Sequence, residues 1–190
     1  MDAIFDRVVR EFFPNTTIPF WKKWLFRTAF GNKVFSRLIY NERLVNKNGV
    51  EWVNAVVELL ELKCESEHHQ LNNIPGHGAT VVISNHPTVI DGLSLIHTVS
   101  RVRSDIKIIA NHVLPIIFPQ VSELTIGIEN MAGKMSHKKF REMNDHLRKG
   151  GVLIICPAGK LANWSLSGLQ EHKWNRSEER RVGKECTTVC

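Results

Sequence analysis

The sequence lacks any apolar run long enough to cross a bilayer as a helix. No window reaches the roughly 18 apolar residues that a transmembrane segment needs. The opening stretch, Met1–Phe13, carries a charge every few residues and does not have the pattern of a signal peptide. Internal repeats and low-complexity segments are also missing. We therefore expect a chain that stays on the side of the membrane where it is made.

Cysteine is scarce, and its spacing matches no metal or redox motif. The four cysteines are Cys64, Cys156, Cys186 and Cys190. None forms a C-x-x-C pair, so we expect a reduced protein without disulfides. Cys64 could be grouped with three histidines as a zinc cluster, but the spacing fits no standard structural site. A polar linker is the simpler interpretation, and we expect no metal.

Composition places the chain among ordinary globular proteins. Hydrophobic residues make up 43% and charged residues 23% of its 190 positions, enough for one domain with a real core. The net charge of +6 suits nucleic acid, anionic lipid or an acidic protein partner equally well. Because no recognised nucleic-acid-binding module accompanies this charge, we expect no nucleic-acid partner.

The end of the chain matches a string that is not of protein origin. Arg176–Cys186 reads RSEERRVGKEC, which is the translation of a widely used sequencing adapter in one frame. The alternative is a real, charged and solvated C-terminal segment. We expect an artefact over 176–190, exclude it from fold reasoning, and expect the natural protein to continue beyond Asn175.

Residues 1–70 have helical periodicity. In Trp21–Tyr40, apolar side chains recur mainly at helical spacings with basic residues between them, and Gly49–Lys63 shows a second such pattern. The stretch from Cys64 to Gly78 loses the period and ends in turn residues. We therefore predict an N-terminal helical segment followed by a domain over 71–175.

The period changes from Ala79 onward. Short β-branched or apolar runs that predict strands alternate with helical patterns. The predicted strands are 79–84, 105–110, 124–128 and 152–156, and the predicted helices are 91–102 and 136–149. Gly150 and Gly151 mark the end of the second helix. This alternation predicts an α/β fold with a largely parallel sheet and flanking helices.

The most informative stretch is Val81–Gly92, VVISNHPTVIDG. A strand leads into His86, and Asp91 opens the next helix, so both lie at the carboxyl end of a strand, where open α/β sheets place reactive groups. A turn can bring the two side chains together, and the carboxylate would then fix the tautomer of the imidazole. Taken alone, H-x-x-x-x-D is a weak motif. The alternative is a loop histidine and an aspartate that serves as a helix N-cap.

In its wider context, the run NHPTVIDG resembles the first block of the glycerolipid acyltransferases, in particular the haemolysin-like or ornithine-lipid-type branch. The preceding N-I-P-x-x-G (Asn73–Gly78) and the following VRSDIKIIAN (Val102–Asn111) are also similar to that branch. Cys156-Pro157-Ala158-Gly159 resembles its third block. The resemblance covers roughly Asn41 to Asn175.

The resemblance implies an acyltransferase of phospholipid or aminolipid biosynthesis that needs no cofactor beyond its co-substrate. His86 would be the general base and Asp91 its orienting carboxylate. Backbone groups of Pro157, Ala158 and Gly159, with Lys160, would bind acceptor phosphate or the developing oxyanion. The donor would be an acyl thioester on coenzyme A or acyl carrier protein. The family implies a peripheral enzyme at the cytoplasmic face of a membrane.

Two departures from the family bear on the acceptor. The second block usually carries arginine, and here that region reads Gly127-Ile128-Glu129-Asn130. The third block has Ala158 where glutamate is common. Lys134 and Lys160 could supply point charges but not bidentate contacts. These differences favour a lysolipid or lyso-aminolipid acceptor over glycerol 3-phosphate. The other possibility is a non-catalytic lipid-binding or scaffold protein of the same fold.

Overall fold

Strands and helices alternate along the chain, as the sequence predicts. The computed structural model describes residues 41–65, 71–86, 88, 90–128, 136–158, 163–165 and 168–170. The helices are α1 (Glu42–Val45), α2 (Gly49–Leu59), α3 (Asp91–Ser100), α4 (Leu114–Ile117), a 3-10 helix (Pro119–Leu124) and α5 (His137–Arg148). The strands are β1 (Thr80–Ile83), β2 (Ile106–Asn111), β3 (Thr125–Ile128), β4 (Val152–Ile155), β5 (Asn163–Ser165) and β6 (Gly168–Gln170).

Four of these strands form one parallel sheet in the order β1-β4-β2-β3. β4 pairs with β1 on one side and with β2 on the other. All four residues of β4 are buried, because a central strand in a sheet covered on both faces must be apolar throughout. The predicted parallel sheet is confirmed for these strands, while β5 and β6 form a separate antiparallel pair.

Helices cover both faces of the sheet. On one face, Ile106, Ile108 and Ile154 pack in a core cluster with residues of α2, α3 and the 3-10 helix. On the other face, Ile126, Leu153 and Ile155 pack against Met143 of α5. Successive residues of a strand point to opposite faces, so alternate isoleucines and leucines supply the two clusters. The described fold is a three-layer α/β arrangement.

Helix α5 begins and ends where the sequence indicates. The Ser136 hydroxyl accepts a hydrogen bond from the Lys139 backbone N–H at the start. At the end, Gly150 has a φ of +86°, and the N–H groups of Gly150 and Gly151 donate to the carbonyls of Leu147 and His146. This is a Schellman motif, which explains glycine at position 150, while a Cβ at Gly151 would clash with the His146 ring.

The sequence analysis did not predict the helical turns between β2 and β3. α4 and the 3-10 helix follow Val113 in a stretch with prolines at 115 and 119, which shows no amphipathic period. Of the N-terminal helical segment, α1 and α2 are present, and the pattern over Trp21–Tyr40 lies outside the described residues. Within the described ranges, every helix is too short or too polar to span a bilayer.

Arg103 links the segments at the amino ends of β1, β2 and β4 by hydrogen bonds. Its guanidinium is buried, with 5% of the side chain exposed, and donates to both carboxylate oxygens of Asp105 at 2.8 and 2.7 Å. The remaining donors reach the carbonyls of Pro75, Gly78 and Gly150. Arg103 therefore ties the turn before β1, the start of β2 and the turn before β4 to one another, at the edge of the sheet opposite to His86.

Candidate functional site

The candidate site lies at the carboxyl ends of β1 and β4. These strands are neighbours with Ile83 opposite Ile155, and the Ser84 N–H extends the pairing by donating to the Ile155 carbonyl at 3.1 Å. Because the strands are parallel, the segments that follow them leave the sheet at the same edge. His86 follows β1, and Cys156 follows β4. The fold therefore brings the first and third motif blocks together.

The His86 and Asp91 side chains are in contact, as the sequence analysis expects. Nδ1 of His86 lies 3.3 Å from Oδ2 of Asp91, at the long end of hydrogen-bond distances. The side chains are 22% and 19% exposed, so solvent reaches the pair without surrounding it. An ionised carboxylate only accepts hydrogen bonds, so in a neutral imidazole this contact favours the tautomer with the proton on Nδ1 and the lone pair on Nε2.

Thr88 holds the same carboxylate from the other side. Its backbone N–H donates to Oδ2 of Asp91 at 2.6 Å, and its hydroxyl donates to Oδ1 at 2.6 Å. Asp91 is the first residue of α3, whose N-cap position is taken by Ile90 without a side-chain cap. The alternative in which Asp91 is the N-cap is therefore wrong. Its carboxylate faces back to the loop that contains His86.

The start of α3 lies close to the sheet because residue 92 is glycine. A Cβ at Gly92 would lie 3.3 Å from Cδ1 of Ile108 in β2, which is tighter than most such contacts. The first turn of α3, which begins at Asp91, therefore packs directly against the sheet. The D-G pair therefore combines the carboxylate that contacts His86 with a close approach of helix and strand.

Cys156 lies at the same edge, half buried after β4. Burial raises the pKa of the Cys156 thiol, and the negative charge of Asp91 raises it further. The group is therefore a neutral thiol at pH 7. This electrostatic environment does not suit a thiolate nucleophile, which needs nearby positive charge.

The proposed substrate-binding residues are described in part. Pro157 is buried and Ala158 is half buried, directly after β4. Gly159 and Lys160 lie outside the described residues. Gly127 and Ile128 of the second block are residues of β3, at the far side of the sheet from β1. A metal site has no support in the described ranges, where no three His, Cys, Asp or Glu side chains cluster.

Other histidines have different surroundings. Nδ1 of His97, on α3, lies 2.8 Å from the side-chain oxygen of Asn54 on α2, so this ring joins two helices. The backbone N–H of His112 donates to the Ile128 carbonyl after β2. His77 is exposed at the amino edge of the sheet, in the turn before β1. His97 therefore lies on a helix, and His112 lies in the turn after β2.

The sequence analysis missed two residues of this edge. Thr88 stands three positions before Asp91, which is the [ST]-x-x-[DE] spacing of a capping box and was a signal in the sequence. Cys156 was seen only as part of the third block. Its proximity to Asp91 depends on the pairing of β1 with β4, which no local pattern indicates.

Comparisons with protein-family models, with curated proteins and with solved structures found no match to this chain. Any function proposed for the protein therefore depends on the residues of the site and their geometry.

Proposed function

We propose that this protein is an acyltransferase that moves a fatty acyl group from a thioester donor to a lysolipid or related acceptor. The donor is acyl-coenzyme A or acyl carrier protein. The observation that carries the proposal is the contact between His86 and Asp91 at the carboxyl end of β1. It supports the proposal because the contact leaves Nε2 of a partly exposed imidazole as a base.

The arrangement supports a direct transfer. Nε2 of His86 removes the proton from the acceptor hydroxyl or amine as its oxygen or nitrogen attacks the thioester carbonyl carbon. The bond between carbon and sulfur then breaks, and the imidazolium returns the proton to the leaving thiolate. Asp91 stabilises the imidazolium between these two steps, because its carboxylate contacts the protonated Nδ1 throughout.

The segment after β4 is the proposed binding region for the acceptor. Backbone groups of Pro157, Ala158 and Gly159, together with Lys160, contact the acceptor phosphate or the tetrahedral oxyanion. Lys160 is a point charge that contacts ground state and transition state alike. We therefore expect Lys160→Ala to weaken acceptor affinity more than turnover.

The protein acts at the cytoplasmic face of a membrane as a peripheral enzyme, because both the acceptor and the product are lipids. A second candidate is a non-catalytic lipid-binding or scaffold protein with the same fold. The two differ in one respect that can be measured: the scaffold does not need His86 as a base.

Mass spectrometry of lipids tests the proposal and identifies the acceptor class. Cells that express the chain should accumulate an acylated lipid at the expense of its lyso form, and cells that express His86→Ala should not. His77→Ala is the matched control, because His77 is exposed at the opposite edge of the sheet. Lipid profiles that do not change with the full-length protein, or that change equally with its His86→Ala variant, would favour the scaffold.

A further inference from the structure

We infer that Thr88 is a positioning residue of the proposed reaction, which holds the Asp91 carboxylate so that Asp91 can hold His86. The inference rests on the proposed function for its kinetic consequences. Its structural basis is independent, because it consists of two hydrogen bonds from one residue to one carboxylate.

The two hydrogen bonds fix the plane of the carboxylate. The Thr88 hydroxyl donates to Oδ1 and the Thr88 N–H donates to Oδ2, each at 2.6 Å. The terminal torsion of an aspartate is otherwise broad, so a carboxylate held at one oxygen can rotate. With both oxygens engaged, Oδ2 remains directed at Nδ1 of His86, 3.3 Å away.

The contact differs from an ordinary capping box. In that motif the threonine hydroxyl accepts a hydrogen bond from the backbone N–H three residues later. Here the hydroxyl donates to the side chain of Asp91, and Ile90 is the N-cap residue of α3. The hydroxyl therefore fixes the orientation of the carboxylate. The hydrogen bond from the Thr88 N–H to Asp91 is the one contact that this arrangement shares with a capping box.

The series of hydrogen bonds from Thr88 to Asp91 and on to His86 sets the tautomer of the imidazole. A correctly held carboxylate keeps the proton on Nδ1 and leaves Nε2 free for the acceptor. Without the hydroxyl, Asp91 keeps the Thr88 N–H and the His86 contact at Oδ2, while Oδ1 loses its donor and the carboxylate can rotate. The imidazole then samples the opposite tautomer, in which Nε2 carries the proton and cannot act as a base.

Three substitutions separate positioning from packing. Thr88→Val keeps the branched shape and the backbone N–H but removes the hydroxyl, and Thr88→Ala is a second variant without it. Thr88→Ser keeps the hydroxyl and removes the methyl group. We expect kcat to fall about tenfold in Thr88→Val and Thr88→Ala with KM unchanged, since a hydrogen bond to a charged group is lost. Thr88→Ser should stay within about twofold of wild type.

A spectroscopic readout makes the test independent of activity. Nitrogen-15 NMR of the imidazoles reports the tautomer of each neutral ring, and the His86 signals are those that disappear in His86→Gln. In the wild-type chain and Thr88→Ser, Nδ1 of His86 should carry the proton, while Thr88→Val should show a mixture of tautomers. Thermal melting of each variant confirms that the fold is retained.

Two outcomes would overturn the inference. One is a Thr88→Val protein with the tautomer and kcat of wild type. The other is an equal loss in Thr88→Ser and Thr88→Val, which would assign the effect to the methyl group. If the wild-type chain transfers no acyl group, the proposed function fails, while the His86 tautomer in Thr88→Val still decides whether Thr88 positions the pair.

Discussion

At the residue scale, the reactivity of His86 depends on which ring nitrogen carries the proton. The contact with Asp91 favours the proton on Nδ1 of a neutral ring, and the His86 side chain is 22% exposed. Both features follow from a five-residue spacing across a strand-to-helix turn, which is why the sequence could predict the pair. The sequence could not predict that the Asp91 carboxylate is shared with Thr88, because two geometries of the same [ST]-x-x-[DE] spacing are possible.

Cys156 offers a test of the direct mechanism. Its raised pKa keeps the thiol neutral at pH 7, so it should not form an acyl-enzyme. We expect Cys156→Ala to retain acyl transfer within about threefold of wild type, since only packing near the site is altered. We also expect alkylation of Cys156 to become fast only above the pH at which an ordinary cysteine reacts.

Peptide mapping after alkylation at several pH values measures the pH dependence of Cys156 alkylation, with free N-acetylcysteine as the reference. A covalent Cys156 adduct recovered after incubation with the acyl thioester, together with loss of activity in Cys156→Ala, would contradict direct transfer.

At the element scale, the predicted strands and helices of the described ranges are confirmed where one period extends over the whole element. VLII over β4 and the amphipathic pattern over α5 are examples, and Gly150 and Gly151 mark the end of α5 and the start of β4. The turns of α4 and the 3-10 helix could not be predicted, since four to six residues with proline carry no period. The strand order β1-β4-β2-β3 depends on contacts distant in the sequence, which local patterns do not specify.

Gly127 in β3 allows a close backbone approach. A Cβ at this position would lie 2.9 Å from the His112 Cα, so the backbone after β2 would have to shift. We expect Gly127→Ala to lower the free energy of unfolding by about 1–3 kcal/mol, the usual cost of overpacking. Gly76→Ala is the control, because no atom lies within 4 Å of its added Cβ. Urea unfolding measures the free energy of unfolding of both variants. Equal values for Gly127→Ala and Gly76→Ala would contradict the close approach at Gly127.

The Arg103–Asp105 pair predicts a dependence of stability on pH. The hydrogen bonds from the Arg103 guanidinium lower the pKa of the Asp105 carboxyl in the folded state. A lowered folded-state pKa stabilises the protein above the unfolded value near 3.9, and this contribution is lost as the pH falls through the folded pKa. Asp105→Asn should therefore be less stable than wild type at pH 7, and the difference should shrink as the pH falls below about 4 toward the lowered folded-state pKa.

The expected difference at pH 7 is about 1 kcal/mol, because Asp105 is 46% exposed and Arg103 keeps three carbonyl acceptors. Urea midpoints at pH 7, 5 and 3 measure it. Asp145→Asn, at an exposed position of α5, is the matched control. A difference between wild type and Asp105→Asn that persists unchanged at pH 3 would contradict the ion pair.

At the scale of the whole molecule, the sequence predicted an α/β fold and the edge of the sheet where the site lies. It also predicts a membrane-facing segment whose residues lie outside the described ranges. That segment combines aromatic rings with cations, as interfacial helices do. Its residues are Trp21, Trp24, Phe26, Phe30, Lys22, Lys23 and Arg27. The alternative is that both kinds of residue cover the α/β domain.

Liposome sedimentation distinguishes these possibilities. Each cation near an anionic surface contributes about 1 kcal/mol, so three of them strengthen binding roughly a hundredfold. Lys22→Glu/Lys23→Glu should abolish most binding to vesicles with anionic lipid. Lys63→Glu/Lys149→Glu, which reverses two exposed charges in the described part of the chain, should bind as wild type does. Binding that ignores the anionic-lipid content would count against the membrane-facing segment.

The central claim is that His86, oriented by Asp91, is the general base of acyl transfer. The most direct test is the rate of thiol release from an acyl thioester by the purified protein with a lysolipid acceptor. His86→Ala should lower turnover by about two to four orders of magnitude, and Asp91→Asn should lower it less. His77→Ala should match wild type. A folded His86→Ala protein that transfers acyl groups at the wild-type rate would contradict the account.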